Sequence, residues 1–211
     1  MRTDQLVASL VADRAVSARP LGRSVGRAVL AGALVSLVIF AVEYGPRVDL
    51  LPAFATWRFD VKLALVLAAV VAAAAACVAM ARPVSTERWR LTALPVLLIA
   101  ASTLAAELAV VPASHWKAHL VGSNALDCLI AIPLFALAPL VALLLAMRRT
   151  APASPALAGA ACGALAAAAG AVIYAFHCFD DSPLFVLTWY SLAAVPVVLL
   201  GALAGRRLLR W

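Results

Sequence analysis

Charge is scarce in this sequence. Only 13% of its 211 residues are charged, against 66% hydrophobic. A soluble domain is nearer about half apolar and a quarter charged. Too little polar surface remains to cover a water-soluble globule, whereas a bilayer solvates apolar faces itself. Acids are scarcer than bases, 10 against 17. A net charge of +7 on a soluble domain would suggest nucleic acid. In so apolar a chain the position of each charge matters more, and no direct nucleic-acid binding is expected. Cysteine is limited to four residues with no Cys-x-x-Cys, which excludes zinc-ribbon and thioredoxin motifs. No Gly-rich phosphate loop, His-Glu-x-x-His or Gly-x-Ser-x-Gly elbow appears, so neither an enzyme nor a cofactor is expected. A cleavable leader is also not evident. The first apolar run begins near Gly26, after polar and basic residues, and is long enough to span.

What the sequence does contain is apolar runs. A helix needs about 20 apolar residues to cross the hydrocarbon core. Six stretches qualify: residues 26–44, 61–81, 91–111, 126–147, 156–176 and 184–204. They predict an all-α, polytopic membrane bundle, with residues 1–25 a cytoplasmic segment and 26–211 the membrane domain. Turn formers and charges separate the runs, ending with Asp180-Asp181-Ser182-Pro183. Ser182 and Pro183 suit the N-cap and first turn of the last helix, and capping accounts for the paired acids. Pro95, Pro133, Pro139 and Pro196 fall within spans and are expected to bend them, the fourth most. Gly22/Gly26, Gly159/Gly163 and Gly201/Gly205 have the spacing that lets helices approach closely.

Basic residues set the orientation. One side holds Arg2, Arg14, Arg19, Arg23, Arg27, Arg82, Arg88, Arg90, Arg148, Arg149, Arg206, Arg207 and Arg210, which is 13 of the 17. The other holds Arg47, Arg58, Lys62 and Lys117. The first side is therefore read as cytoplasmic, with both termini there and the bacterial inner membrane as the location. Acids lean the other way: Glu43, Asp49, Asp60, Glu107, Asp127, Asp180 and Asp181 lie at or near the outer face.

The segment over residues 3–18 reads as a short amphipathic helix. Asp4 falls in its first turn, and Leu6, Val7, Leu10 and Val11 form one apolar stripe. It suits either a groove on a cytoplasmic partner or the anionic leaflet, where Arg14, Arg19 and Arg23 would anchor it.

Two of the four cysteines approach the outer face. Cys128 opens the fourth span and Cys178 closes the fifth, while Cys77 and Cys162 lie toward the inner ends. An oxidising outer compartment would allow a Cys128–Cys178 disulfide, worth roughly 4 kcal/mol for a closed loop of about 50 residues. Reduction, metal binding or further oxidation would make the pair a switch. Two half-buried thiols without a role are the alternative. His115, His119, Asp127, His177 and Asp181 are further ligand types on that side, but their spacing fits no standard zinc or copper pattern. Transient capture of a thiophilic metal by the cysteines is the remaining metal chemistry. Glu107 lies within the third span, where an acid needs a partner or a water path. Pairing with Arg47 or Lys117 is one account, and proton-coupled transport by Glu43 and Glu107 is another.

The stretch Tyr174-Ala175-Phe176-His177-Cys178-Phe179-Asp180-Asp181-Ser182-Pro183-Leu184-Phe185, followed by Trp189-Tyr190, resembles the signature of the negative regulator of sigma F family. So do Glu107-Leu108, the run from Cys128 to Pro133, Pro155 to Ala160, and the terminal Gly205-Arg206-Arg207-Leu208-Leu209-Arg210-Trp211. The resemblance extends over nearly the whole chain. It implies a six-helix membrane anti-sigma factor whose N-terminal segment holds an extracytoplasmic-function sigma factor. It further implies that Cys128 and Cys178 sense oxidative or heavy-metal stress from the periplasm, with His177, Asp180, Asp181 and Glu107 around them. Asp4, Leu6, Val7, Leu10, Val11 and Arg14 would belong to the sigma-binding segment. A small transporter and a membrane thiol-oxidoreductase are the rival classes; the second usually carries the Cys-x-x-Cys that is missing here.

Overall fold

No water satisfies backbone N–H and C=O groups inside hydrocarbon, so an open spanning segment folds as a helix. In a computed structural model, which describes residues 3–5, 7, 21–82 and 87–210, helices dominate and no strand occurs among the described residues. Six helices are long and apolar enough to cross a bilayer. They are α1 (Leu21–Glu43), α2 (Trp57–Met80), α3 (Arg90–Val110), α4 (Ala125–Met147), α5 (Pro155–Ala175) and α6 (Pro183–Leu208). The expected all-α, six-helix architecture is observed. Asp4 and Val7 are helical and exposed. Leu6, Leu10, Val11 and Arg14 lie outside the described residues.

The boundaries differ from the hydrophobic runs in two informative places. Helix α1 starts at Leu21 and not at residue 26, and Val25 is already buried in the core. Polar and basic residues at a helix end need no hydrocarbon to stay helical. Helix α2 starts at Trp57 because Thr56 caps it, its Oγ1 accepting from the Phe59 N–H at 3.4 Å. Arg58 and Lys62 therefore belong to a helix long and apolar enough to span.

The prolines also behave differently from expectation. Pro95 sits in the first turn of the regular part of α3, after a 3₁₀ stretch over Glu87–Ala93, where it displaces no hydrogen bond. Helix α4 stays continuously α-helical through Pro133 and Pro139. Pro139 has no N–H, so the Phe135 carbonyl one turn earlier loses its helical donor. Ser36 of α1 replaces it: its buried Oγ donates to Phe135 O at 2.7 Å. Gly32, one turn before Ser36, lets α1 lie against this spot; a Cβ there would stand 2.5 Å from Pro139 N. The irregularity falls in α6 instead, as a π-helical turn over Val186–Tyr190.

Helix α5 is the most buried of the six and α3 the least. The Ala-rich α5 packs against α2, α4 and α6, and α1 packs against α4. Lipid is as apolar as leucine, so close approach through small residues holds such helices together. At the α5–α6 crossing, a Cβ on Gly159 would come within 2.8 Å of Gly205 Cα. One on Gly163 would come 2.7 Å from Val198 Cα. Gly22 and Gly26 have open space where a Cβ would go, so that pair makes no close approach.

Replacing Gly159 by Leu is expected to lower stability by about 1–3 kcal/mol through overpacking. Gly22→Ala should change it by less than about 0.5 kcal/mol. Denaturant unfolding of the detergent-solubilised protein checks both; equal effects would sink the packing account.

Candidate functional site

Alternating helices bring the ends of α1, α3 and α5 together with the starts of α2, α4 and α6. The segment between α5 and α6, residues 176–182, lies across this end. Cys178 belongs to it, held at the end of α5 by its N–H on Tyr174 O at 3.0 Å. Cys128 lies in the first turns of α4, with its own N–H on Asn124 O at 2.9 Å. Both are free thiols with no exposed surface, and they lie in one core cluster, close enough to interact electrostatically. Two residues 50 apart in sequence are thus neighbours. The buried hydroxyls of Tyr174 and Tyr190, in the same core cluster, have no hydrogen-bond partner among the described residues.

Almost every residue of the segment is pinned. Arg47 donates its N–H to Phe176 O at 2.9 Å and its Nη1 to Cys178 O at 3.0 Å. His177 donates Nδ1–H to Gly45 O at 2.9 Å. Lys62, whose side chain has no exposed surface, donates Nζ to Cys178 O at 2.8 Å and pairs with Asp181. Asp181 also pairs with Arg47 at 2.9 Å, and Asp49 completes the set at 2.7 Å from Arg47. The Arg47 guanidinium lies between the Phe59 and Phe179 rings, 5.6 and 5.0 Å from their centroids. The Arg47 hydrogen bond holds the Asp49 carboxyl below the usual carboxylate range. The neighbouring Cys128 thiol lowers the Cys178 thiol against the opposing effect of burial, and the Lys62 charge lowers it further.

Asp180 does something the sequence did not suggest. It does not cap α6; its Oδ2 accepts the backbone N–H groups of Ser123 and Asn124 at 2.9 and 2.8 Å, at the entrance to α4. Gly122, with φ of +58°, turns the chain into that position, and a Cβ there would collide with the Phe185 ring. Burial pushes the Asp180 carboxyl up, but its bonds to Asn124 and Ser123 outweigh this and bring it below its ordinary value. Ser182 holds the N-cap position of α6 without a side-chain cap bond. Its Oγ donates to Glu107 Oε1 at 2.9 Å instead.

Glu107 is fully buried. Besides Ser182 it accepts from His119 Nδ1 at 2.8 Å and from Arg58 Nε and Nη2 at 3.0 and 2.9 Å. Its partners are thus Arg58 and His119, and not Arg47 or Lys117 as the sequence suggested. Arg58 is the second residue of α2 and reaches sideways to Glu107 of α3, which linear spacing does not reveal. Glu43 is exposed. The outer ligand types do not assemble: His115 is exposed beside Ser114, and His119 and His177 are taken by Glu107 and Gly45. Among the described residues no three His, Cys, Asp or Glu side chains converge on a metal-sized site.

Sequence reasoning missed Lys62 and Arg58 as partners of the site, although both stand beside an apolar run. It also missed that the inner cysteines meet. Cys77 Sγ and Cys162 Sγ are 3.6 Å apart, both fully buried in the opposite half of the core.

Six helices of membrane-spanning length, closed at one end by buried ion pairs around a thiol pair, define a polytopic α-helical bundle. Within that class the chain belongs to the negative regulator of sigma F family, which it matches over residues 10–211. A protein of Azospira oryzae named "Probable anti-sigma-F factor NrsF" is 28% identical over 213 residues, covering 100% of both chains. The "Anti-sigma-F factor NrsF" of Caulobacter vibrioides is 43% identical over 74 residues, 35% of each chain. No solved structure matches the chain.

Glu107→Gln turns an amide donor toward the donors of Arg58 or His119, and is expected to cost about 1–3 kcal/mol in denaturant unfolding. A neutral outcome would mean that the four bonds to Glu107 hold nothing. Asp180→Asn is expected to destabilise at pH 7 by about 1–3 kcal/mol. Because folding lowers the Asp180 pKa, its contribution is complete above the unfolded value of about 3.9 and is lost as pH falls through the folded one. The gap in melting temperature between wild type and variant should therefore narrow below about pH 4, and a gap that widens there would refute the assignment.

Proposed function

We propose that this protein is an anti-sigma factor of the bacterial inner membrane, acting by binding and not by catalysis. Residues 1–25, with Asp4, Leu6, Val7, Leu10, Val11 and Arg14, hold an extracytoplasmic-function sigma factor on the cytoplasmic side. Cys128 and Cys178 face the periplasm. Oxidants or thiophilic metal ions change their covalent state, the bundle repacks, and the sigma factor is released.

The observation that carries this reading is the burial of the two thiols in one core cluster at the end of the bundle opposite the start of α1. Membership of the negative regulator of sigma F family supports the regulatory role, and both relatives above are named as anti-sigma-F factors. The excess of arginine at the other end supports a cytoplasmic N-terminus. Glu107, His177, Asp180 and Asp181 act as supports, because each fixes the segment that carries Cys178 or the start of the helix that carries Cys128. The four bonds on Glu107 favour this supporting role over proton transport. A modest signal suffices: about 2.7 kcal/mol of differential stabilisation shifts a two-state equilibrium about a hundredfold.

Co-purification of the sigma factor with the full chain and with a chain lacking residues 1–25 tests the first half. The deletion should abolish capture, and retained capture would overturn the assignment of the binding segment. A sigma-dependent reporter in cells carrying Cys128→Ser, Cys178→Ser tests the second. It should stay unresponsive to peroxide and to cadmium, and a normal response would remove the sensor role.

A further inference from the structure

The two thiols stand in unlike surroundings, and three differences point the same way. The buried cations Lys62 and Arg47 converge on the backbone carbonyl of one cysteine. Lys62 Nζ lies 2.8 Å from Cys178 O and Arg47 Nη1 lies 3.0 Å from it. Lys62 is completely buried, so its field is little screened by water. Second, a helix N-terminus can stabilise a thiolate, and Cys128 lies near one. That advantage is already taken: the free N–H groups of Ser123 and Asn124 are occupied by the Asp180 carboxylate, which brings a negative charge to Cys128's side. Third, Cys178 lies in a connecting segment beside the exposed Phe179, whereas Cys128 is built into α4. Local opening of a connection costs less than unwinding a packed helix.

We infer that Cys178 is the thiol that attacks an oxidant and Cys128 the one that resolves the product, with Lys62 as the positioning residue for the first step. This rests on the sensor role proposed above. The lowered thiol of Cys178 agrees with it. With hydrogen peroxide as oxidant, Cys178 loses its proton and its sulfur attacks one peroxide oxygen. The O–O bond breaks, an S–O bond forms, and the departing hydroxide takes up that proton as water. Cys178 is then a sulfenic acid. The Cys128 sulfur attacks the Cys178 sulfur, the S–S bond forms, the S–O bond breaks, and hydroxide leaves with the Cys128 proton as a second water. Two thiols and one peroxide give one disulfide and two waters. Because the two thiols share one core cluster, resolution should be fast and the sulfenic acid short-lived in the intact pair.

The test uses the reduced full-length protein in lipid nanodiscs, treated with hydrogen peroxide in the presence of dimedone, with adducts located by peptide mass spectrometry. Cys128→Ser should trap the adduct on Cys178, at least about tenfold above the adduct on Cys128 in Cys178→Ser. Lys62→Met should slow Cys178 labelling about tenfold. Should that variant not fold, the comparison of the two serine variants decides alone. Equal labelling, or more on Cys128, would overturn the assignment while leaving the sensor reading in place. If neither cysteine forms an adduct and wild type forms no Cys128–Cys178 disulfide, both are overturned.

Discussion

An ammonium with no exposed surface cannot stand in an apolar bundle without partners, because removing a charge from water costs several kcal/mol. Lys62 is such a group, and much of this end of the structure follows from it. It needs an acid and a carbonyl, and it finds Asp181 and Cys178 O in one short segment. That requirement brings residues 176–182 inward over the bundle. Arg47 then shares Asp181 and the same carbonyl, which ties the connection after α1 to the same place. A second buried charge, Glu107, does the equivalent for α2, α3 and α6 through Arg58, His119 and Ser182.

These ionic contacts determine where the thiols lie. Cys178 is carried inward by the segment that Lys62 and Arg47 hold. Cys128 is placed by the entrance to α4, which Asp180 of that same segment fixes. One run of seven residues therefore positions both sulfurs. A change at either sulfur must be accommodated in a segment bonded to α2, to the start of α4 and, through Ser182, to α3. The other half of the bundle is built differently. Its core is mostly alanine and leucine, and it is set by the close α5–α6 approach. Packing there has little give.

Much of this was legible in the sequence because hydrocarbon imposes strict rules. Six apolar runs became six helices, since lipid leaves the backbone no alternative, and the depth of each cysteine along its run put Cys128 and Cys178 at one end. The partners of Glu107 were not legible. Arg58 and His119 stand 49 and 12 residues from it in the chain, and only the lateral order of helices brings them together. Nor was the continuity of α4. Pro139 read alone marks a bend, and the carbonyl it leaves without a donor is satisfied by Ser36, 99 residues away.

The sequence by itself determined the class of structure, the number of helices and which residues share an end, because each depends on local hydropathy, charge and spacing. The tertiary structure alone decided which groups at that end touch. Asp180 reads as a cap for the helix that follows it, yet its carboxylate binds the helix that bears Cys128. Cys77 and Cys162 read only as lying toward the inner ends of their spans, yet they meet. A periodic pattern specifies the face and depth of a residue. The neighbour it meets depends on how helices are ordered around α5, and that order is set by shape, by small residues and by the pairing of buried charges.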